Sequence, residues 1–156
     1  MLTGITMLPV SYSQLKAKPE CETFTVDILN GTVNGVKPDF NKEQIKEKLP
    51  CFTGEEQEPN AKCGNVILYK DRDLTFFVKR QYVEIGPQFK GKLSIPLMNA
   101  GRSDLFKWLG NPKIKDSKWD AYVMNYGTLV LHYNASGKVN LIHFSTKSTD
   151  ELNLCE

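Results

Sequence analysis

The sequence predicts an α+β fold: two helix-plus-antiparallel-sheet units in tandem, with the helices packed on one face of the sheet. Three observations predict it. Residues 102–109 read as a short helix ended by Gly110-Asn111-Pro112, and three alternating apolar/polar runs follow at 119–125, 128–133 and 138–146. A fainter copy opens at Asn41, where the helical pair Ile45 and Leu49 precedes runs at 65–70, 73–80 and 82–86. Short turns separate the runs within each copy, so neighbouring strands pair antiparallel.

Residues 1–22, with Pro9 and Pro19 and no clear period, form an N-terminal arm. The first unit spans 23–97. It begins with a β-branched strand at Thr23–Leu29, and Asn30-Gly31 and Asn34-Gly35 are hairpin turns. Asn41 is a good N-cap with Gln44 three residues on, the pattern of a capping box, and Pro50 stops the helix. The acidic stretch 52–62 is a loop, and Asp71-Arg72 is a tight turn. Gly86-Pro87 and Gly91 bracket a loop carrying Phe89, and the run 93–97 is a short strand or extended entry that Pro96 keeps at an edge. The second unit spans 98–146, with Leu105 and Leu109 on one helical face and Gly110 as the residue after the helix. Residues 147–156 form a polar tail.

Hydrophobic residues at 40% and charged residues at 24% fit an ordinary globular chain. A net charge of +2 is too weak to imply a nucleic-acid partner. No apolar run approaches the ~18 residues of a membrane span. The first ten residues are mildly apolar but lack a basic segment, so they make a poor signal peptide. A cytoplasmic start remains open, as does an export signal or lipid anchor upstream.

Cys21, Cys51, Cys63 and Cys155 bear on that choice. Cys51 and Cys63 flank the acidic loop, and a bridge closing it is worth roughly 3 kcal/mol in the chain-entropy model. Cys21 and Cys155 lie near the two ends, which are often close in space. The placement predicts the disulfides Cys51–Cys63 and Cys21–Cys155 and an oxidising, periplasmic setting. Four reduced thiols would fit the cytoplasmic alternative. No cysteine pair has zinc spacing, so no metal and no cofactor is expected.

No nucleophile–base set, phosphate loop or dinucleotide fingerprint is present, and the chain reads as a non-enzyme without catalytic residues. His132 and His143 sit on one predicted hairpin and can face each other across it; half-exposed strand residues are the plainer reading. The Asn134-Ala135-Ser136 glycosylation sequon falls in a turn, where those residues are expected anyway. Trp108 and Trp119 are expected in the core. Glu55, Glu56 and Glu58, with the aromatic residues Phe89, Tyr122 and Tyr126, are the expected partner-binding set.

Leu109-Gly110-Asn111-Pro112, Trp119-Asp120-Ala121-Tyr122 and Gly137-Lys138-Val139 through Ile142-His143-Phe144 resemble the repeat unit of β-lactamase-inhibitor-protein-like folds and of SmpA/OmlA-type envelope lipoproteins. In the first copy Pro50-Cys51 replaces Gly-Asn-Pro. Gly31-Thr32-Val33-Asn34-Gly35-Val36 before a helix is similar to small bacterial toxin-immunity proteins. The resemblance implies a tandem fold and an immunity or inhibitor protein that occludes the active site of a cognate bacterial toxin or effector. An envelope assembly or scaffold lipoprotein is the alternative. A ligand-binding or enzymatic domain using His132 and His143 is a third reading.

Overall fold

The computed structural model describes Gly4 and residues 19–156, so most of the expected arm 1–22 lies outside the described residues. Among the described residues eleven strands and two α-helices follow one another: β1 (Phe24–Asp27), β2 (Thr32–Val33), α1 (Lys42–Lys48), β3 (Gly54–Glu56), β4 (Val66–Tyr69), β5 (Leu74–Phe77), β6 (Tyr82–Ile85), β7 (Gly91–Leu93), α2 (Phe106–Leu109), β8 (Ile114–Lys115), β9 (Trp119–Met124), β10 (Gly127–Tyr133) and β11 (Val139–Ser145). Eight strands make one antiparallel sheet in the order β3-β4-β5-β6-β11-β10-β9-β8. The other three make a small sheet, β2-β1-β7, in which β1 and β7 run parallel.

This corrects the expected architecture. The chain is mainly antiparallel sheet, and it is not built from two helix-plus-sheet units with helices covering a face. The two halves share one continuous sheet, joined where β6 pairs with β11 through Val83 opposite Phe144 and Ile85 opposite Ile142. Helix α1 has seven residues and α2 only four, with no buried residue in α2. Gly110 at φ 69° ends α2 after a single turn, too short to present an apolar stripe. The expected helix 102–109 is instead a 3₁₀ turn over Arg102–Asp104 followed by that turn of α-helix.

What covers the inner face of the large sheet is chiefly the small sheet. Phe24, Val26 and Ile28 alternate inward from β1 and its end, and meet Ile67, Tyr69, Leu74, Phe76, Val83, Ile85, Leu129, Leu131, Ile142 and Phe144 in one core. The Phe24 and Tyr69 rings meet edge to face at 5.2 Å between centroids. Helix α1 adds Ile45 and Leu49, and its capping box is present: the Asn41 side chain accepts from Gln44 N–H, and the Gln44 side chain accepts from Asn41 N–H. The Asn30-Gly31 turn forms with Gly31 at φ 68°. The segment expected to be only a loop contributes the edge strand β3.

Both disulfides are paired differently from the expectation: Cys21 bonds Cys51, and Cys63 bonds Cys155. Cysteine count constrains the number of bridges and leaves connectivity open. Here β1 brings Cys21 beside the end of α1, with Cα atoms 5.6 Å apart in that bridge. After β11 the chain turns at Ser148–Leu152 and runs back across the outer face of the large sheet. Arg80 donates to the carbonyls of Asn153 and Leu154, and Cys155 N–H donates to the Tyr82 hydroxyl. The Cys63–Cys155 bond fastens that strap at its end. Tyr82, Thr128, His143 and Ser145, all on the outer face, are therefore buried.

Candidate functional site

The strap and the β8-β9-β10 end of the outer face enclose a cleft of about 460 Å³. Strand alternation places Ile114, Trp119, Ala121, Thr128, Val130 and His132 on this face, and Thr149, Leu152, Asn153 and Leu154 close it from the tail. Ile114 in the lining is 39% exposed, and Val123, paired with Thr128 and on the same face of β9 as Ala121, is 62% exposed. Exposed apolar residues beside an apolar cleft suit contact with another molecule.

One charged and polar chain lies behind the cleft. His132 Nε2 is 2.8 Å from His143 Nδ1, and His143 Nε2 is 2.9 Å from Glu84 Oε1. The residues come from β10, β11 and β6, adjacent strands in the sheet. His132 stands opposite Leu141, so it meets His143 diagonally across the hairpin rather than face to face. The carboxylate of Glu84 accepts from His143 Nε2–H. His132 Nε2 and His143 Nδ1 share a single hydrogen bond, so one of the two nitrogens carries the proton and the other accepts it. Burial, then the neighbouring His143, pushes the His132 imidazole down to about 4, so it is neutral across the physiological range. Tyr82 closes the other side of His143, edge to face at 5.3 Å. The arrangement leaves the second ring nitrogen of a neutral imidazole, His132 Nδ1, outside the row of hydrogen bonds. Among the described residues no group of three or more potential metal ligands is close enough to hold an ion.

The expected partner-binding residues are scattered over the molecule. Glu55 lies on β3 and is held by Lys46 at 2.9 Å, with Lys42 nearby; the Lys46 hydrogen bond leads in keeping its carboxyl below the usual range. Glu58 pairs with Lys79, while Glu56 is exposed. The acidic stretch is thus largely neutralised by lysines of its own chain. Tyr122 is only 3% exposed, a core residue rather than a surface anchor. Tyr126 packs on the core and donates its hydroxyl to the Ile28 carbonyl at 2.9 Å, and Phe89 packs on the core near Gly91. Cys21, Cys51, Cys63 and Cys155 are all bonded.

His132 and His143 are the sequence-predicted pair that the structure does bring together. Glu84, Val123, Ile114 and the tail residues carried no recognised signal. The alternation of β10 and β11 puts both histidines on one face, but Glu84 joins them only through the long-range pairing of β6 with β11. Among the described residues no helix is long and apolar enough to cross a membrane. No family model, curated protein or solved structure matches the chain, so its own geometry carries the functional argument.

Proposed function

We propose that the chain is an immunity or inhibitor protein that binds a cognate bacterial toxin or effector and covers its active site. The observation that carries this reading is the apolar cleft beneath the strap, with the exposed Ile114 in its lining and the exposed Val123 on the same face of β9. A concave apolar centre with exposed apolar residues at its rim suits an anchoring side chain from another protein, the arrangement that dominates binding energy at interfaces. The sheet beneath is rigid, hydrogen-bonded across eight strands, so little ordering cost falls on binding. Two disulfides fit work in the periplasm or another oxidising compartment.

The test is co-expression with the product of the adjacent gene. Co-purification and relief of toxicity are expected, and Val123→Arg should weaken the complex by about tenfold or more without lowering the melting temperature. If the neighbouring protein neither binds nor is neutralised, the reading fails.

A further inference from the structure

The two disulfides stand in opposite electrostatic surroundings. Cys21 and Cys51 pack against the core, and the surface beside them carries Glu20, Glu22, Glu47 and Asp71 against Lys48 and Arg72. Cys63 lies instead in the wall of a depression of about 270 Å³, together with Lys62, Lys79, Arg80 and Lys147. Glu58 is the carboxylate of that wall, and it is paired with Lys79. Glu156, next to Cys155 in the chain, lines the cleft instead. Among the described residues Lys62, Arg80 and Lys147 form no ion pair. Local geometry builds the basic wall. Gly64 has φ 79°, and a Cβ there would stand 2.7 Å from Lys79 Cδ, so glycine makes room for the Lys79 stem. Arg80 Nη1 donates to the carbonyls of Asn153 and Leu154, which holds the guanidinium against the strap just before Cys155.

A disulfide is attacked by a thiolate, and fixed positive charge draws an anionic attacker in and stabilises the thiolate that leaves. We infer that Cys63–Cys155 is a thiol-exchange site, opened by a small thiol that also carries a carboxylate, while Cys21–Cys51 is a structural bridge. The electron pair of the incoming thiolate forms a bond to the Cys63 sulfur as the Cys63–Cys155 bond breaks. Cys155 leaves as a thiolate and takes a proton from water. A second thiolate attacks the small-molecule sulfur of the mixed disulfide, and Cys63 leaves as a thiolate in turn. The bridge gains two electrons, and two small thiols depart joined as their own disulfide. Opening the bond unfastens the strap, so the outer face of the large sheet and the cleft become accessible. None of this depends on the identity of a protein partner.

The experiment uses the intact, oxidised chain and three probes: mercaptoacetate, which is anionic; 2-mercaptoethanol, which is neutral; and cysteamine, which is cationic. Reactions are quenched with iodoacetamide, and peptide mapping gives the initial cleavage rate of each bridge. The ratio of the two rates within one reaction is the readout, so differences in nucleophilicity between probes cancel. Mercaptoacetate should open Cys63–Cys155 first, and the ratio should fall about tenfold from mercaptoacetate to cysteamine, with 2-mercaptoethanol between them. Molar sodium chloride should flatten that series. Lys62→Glu combined with Lys147→Glu should remove most of the preference for mercaptoacetate at an unchanged melting temperature. The trapped intermediate should carry mercaptoacetate on Cys63, and residues 147–156 should lose their protection from hydrogen exchange in the singly reduced chain. A ratio equal for all three probes overturns the role of the basic wall. Opening of Cys21–Cys51 first by mercaptoacetate overturns the site itself. Mercaptoacetate trapped on Cys155 overturns the choice of attacked sulfur, and a tail still protected after cleavage overturns the unfastening.

Discussion

His132 Nε2 and His143 Nδ1 lie 2.8 Å apart, so the two rings share one proton position and cannot both be charged without breaking their contact. His132 titrates near 4 in the folded chain against 6.5 for an ordinary imidazole. Between those values the unfolded chain binds a proton that the folded chain refuses. Stability is therefore complete above about pH 6.5 and is lost as pH falls toward 4. The full shift corresponds to about 3 kcal/mol. The ring borders the cleft, and solvent screening brings the expected contribution to roughly 1–2 kcal/mol. Urea unfolding at pH 7, 5.5 and 4 checks this. His132→Gln keeps an N–H for His143 but does not titrate, so its stability should fall less between pH 7 and 4 than that of the parent. Parallel curves for the two proteins would remove the role of His132.

Arg102 and Asp120 form the second polar network, on the inner face. Asp120 is 2% exposed and accepts from Arg102 Nη2 at 2.5 Å, Arg102 Nε at 3.0 Å and the Tyr133 hydroxyl at 2.6 Å. Arg102 also donates to the Asp116 and Ser117 carbonyls and lies over the Tyr133 ring, so it pins the turn before α2 to β9 and β10. Arg102→Met should cost about 3–5 kcal/mol in chemical denaturation, because it leaves a buried carboxylate without its counter-charge. Arg102→Lys should recover only part, since an ammonium cannot reproduce the planar fork. Arg102→Met combined with Asp120→Leu should cost less than Arg102→Met alone, because the stranded charge is gone.

The legible part of the fold was local. Alternation found β4, β5, β6, β9, β10 and β11 to within a few residues, and the Asn41/Gln44 capping box marked the start of α1. The illegible part was long-range. The parallel pairing of Phe24 with Gly91 joins strands far apart in sequence with no turn between them, and β7 is too short to show a period. That pairing builds the small sheet, and the small sheet takes the place that helices were expected to fill. The cleft was hidden for the same reason. Leu152 and Leu154 sit in a polar tail whose path depends on the Cys63–Cys155 bond and on Arg80. Tyr122 was misjudged because Trp-Asp-Ala-Tyr alternates, and only pairing with Leu129 shows that the tyrosine faces inward.

Gly31 and Tyr126 test the contact between the small sheet and the large one. Gly31 has φ 68°, and a Cβ there would stand 2.5 Å from Tyr126 Cδ2. Gly35, in the next turn, has φ 81° but open space around a Cβ. Gly35→Ala should therefore cost only the left-handed backbone strain, about 1 kcal/mol. Gly31→Ala adds displacement of the Tyr126 ring and of its hydrogen bond to Ile28, for a total of about 2–4 kcal/mol. Thermal melts of the two variants side by side read the difference, and equal losses would mean that Tyr126 moves aside freely.

The two disulfides should differ in what they hold. Cys21–Cys51 closes a separation of 30 residues and joins β1 to the end of α1, inside the region covered by the core. Cys63–Cys155 closes a separation of 92 and is the terminal fastening of the strap. In the chain-entropy model the bridges contribute about 3.5 and about 4.5 kcal/mol. Replacing Cys63 and Cys155 by Ser should lower stability and also free the tail from the outer face. Cys155 N–H, which donates to Tyr82 at 2.9 Å, should lose its protection from hydrogen exchange, and residues 147–156 should become open to proteolysis. Replacing Cys21 and Cys51 by Ser should lower stability while leaving the tail protected. Non-reducing peptide mapping should return the two pairings directly. A tail that stays equally protected in both double variants would show that Arg80 and Tyr82 hold the strap without the covalent bond, and the cleft would then keep its shape under reducing conditions.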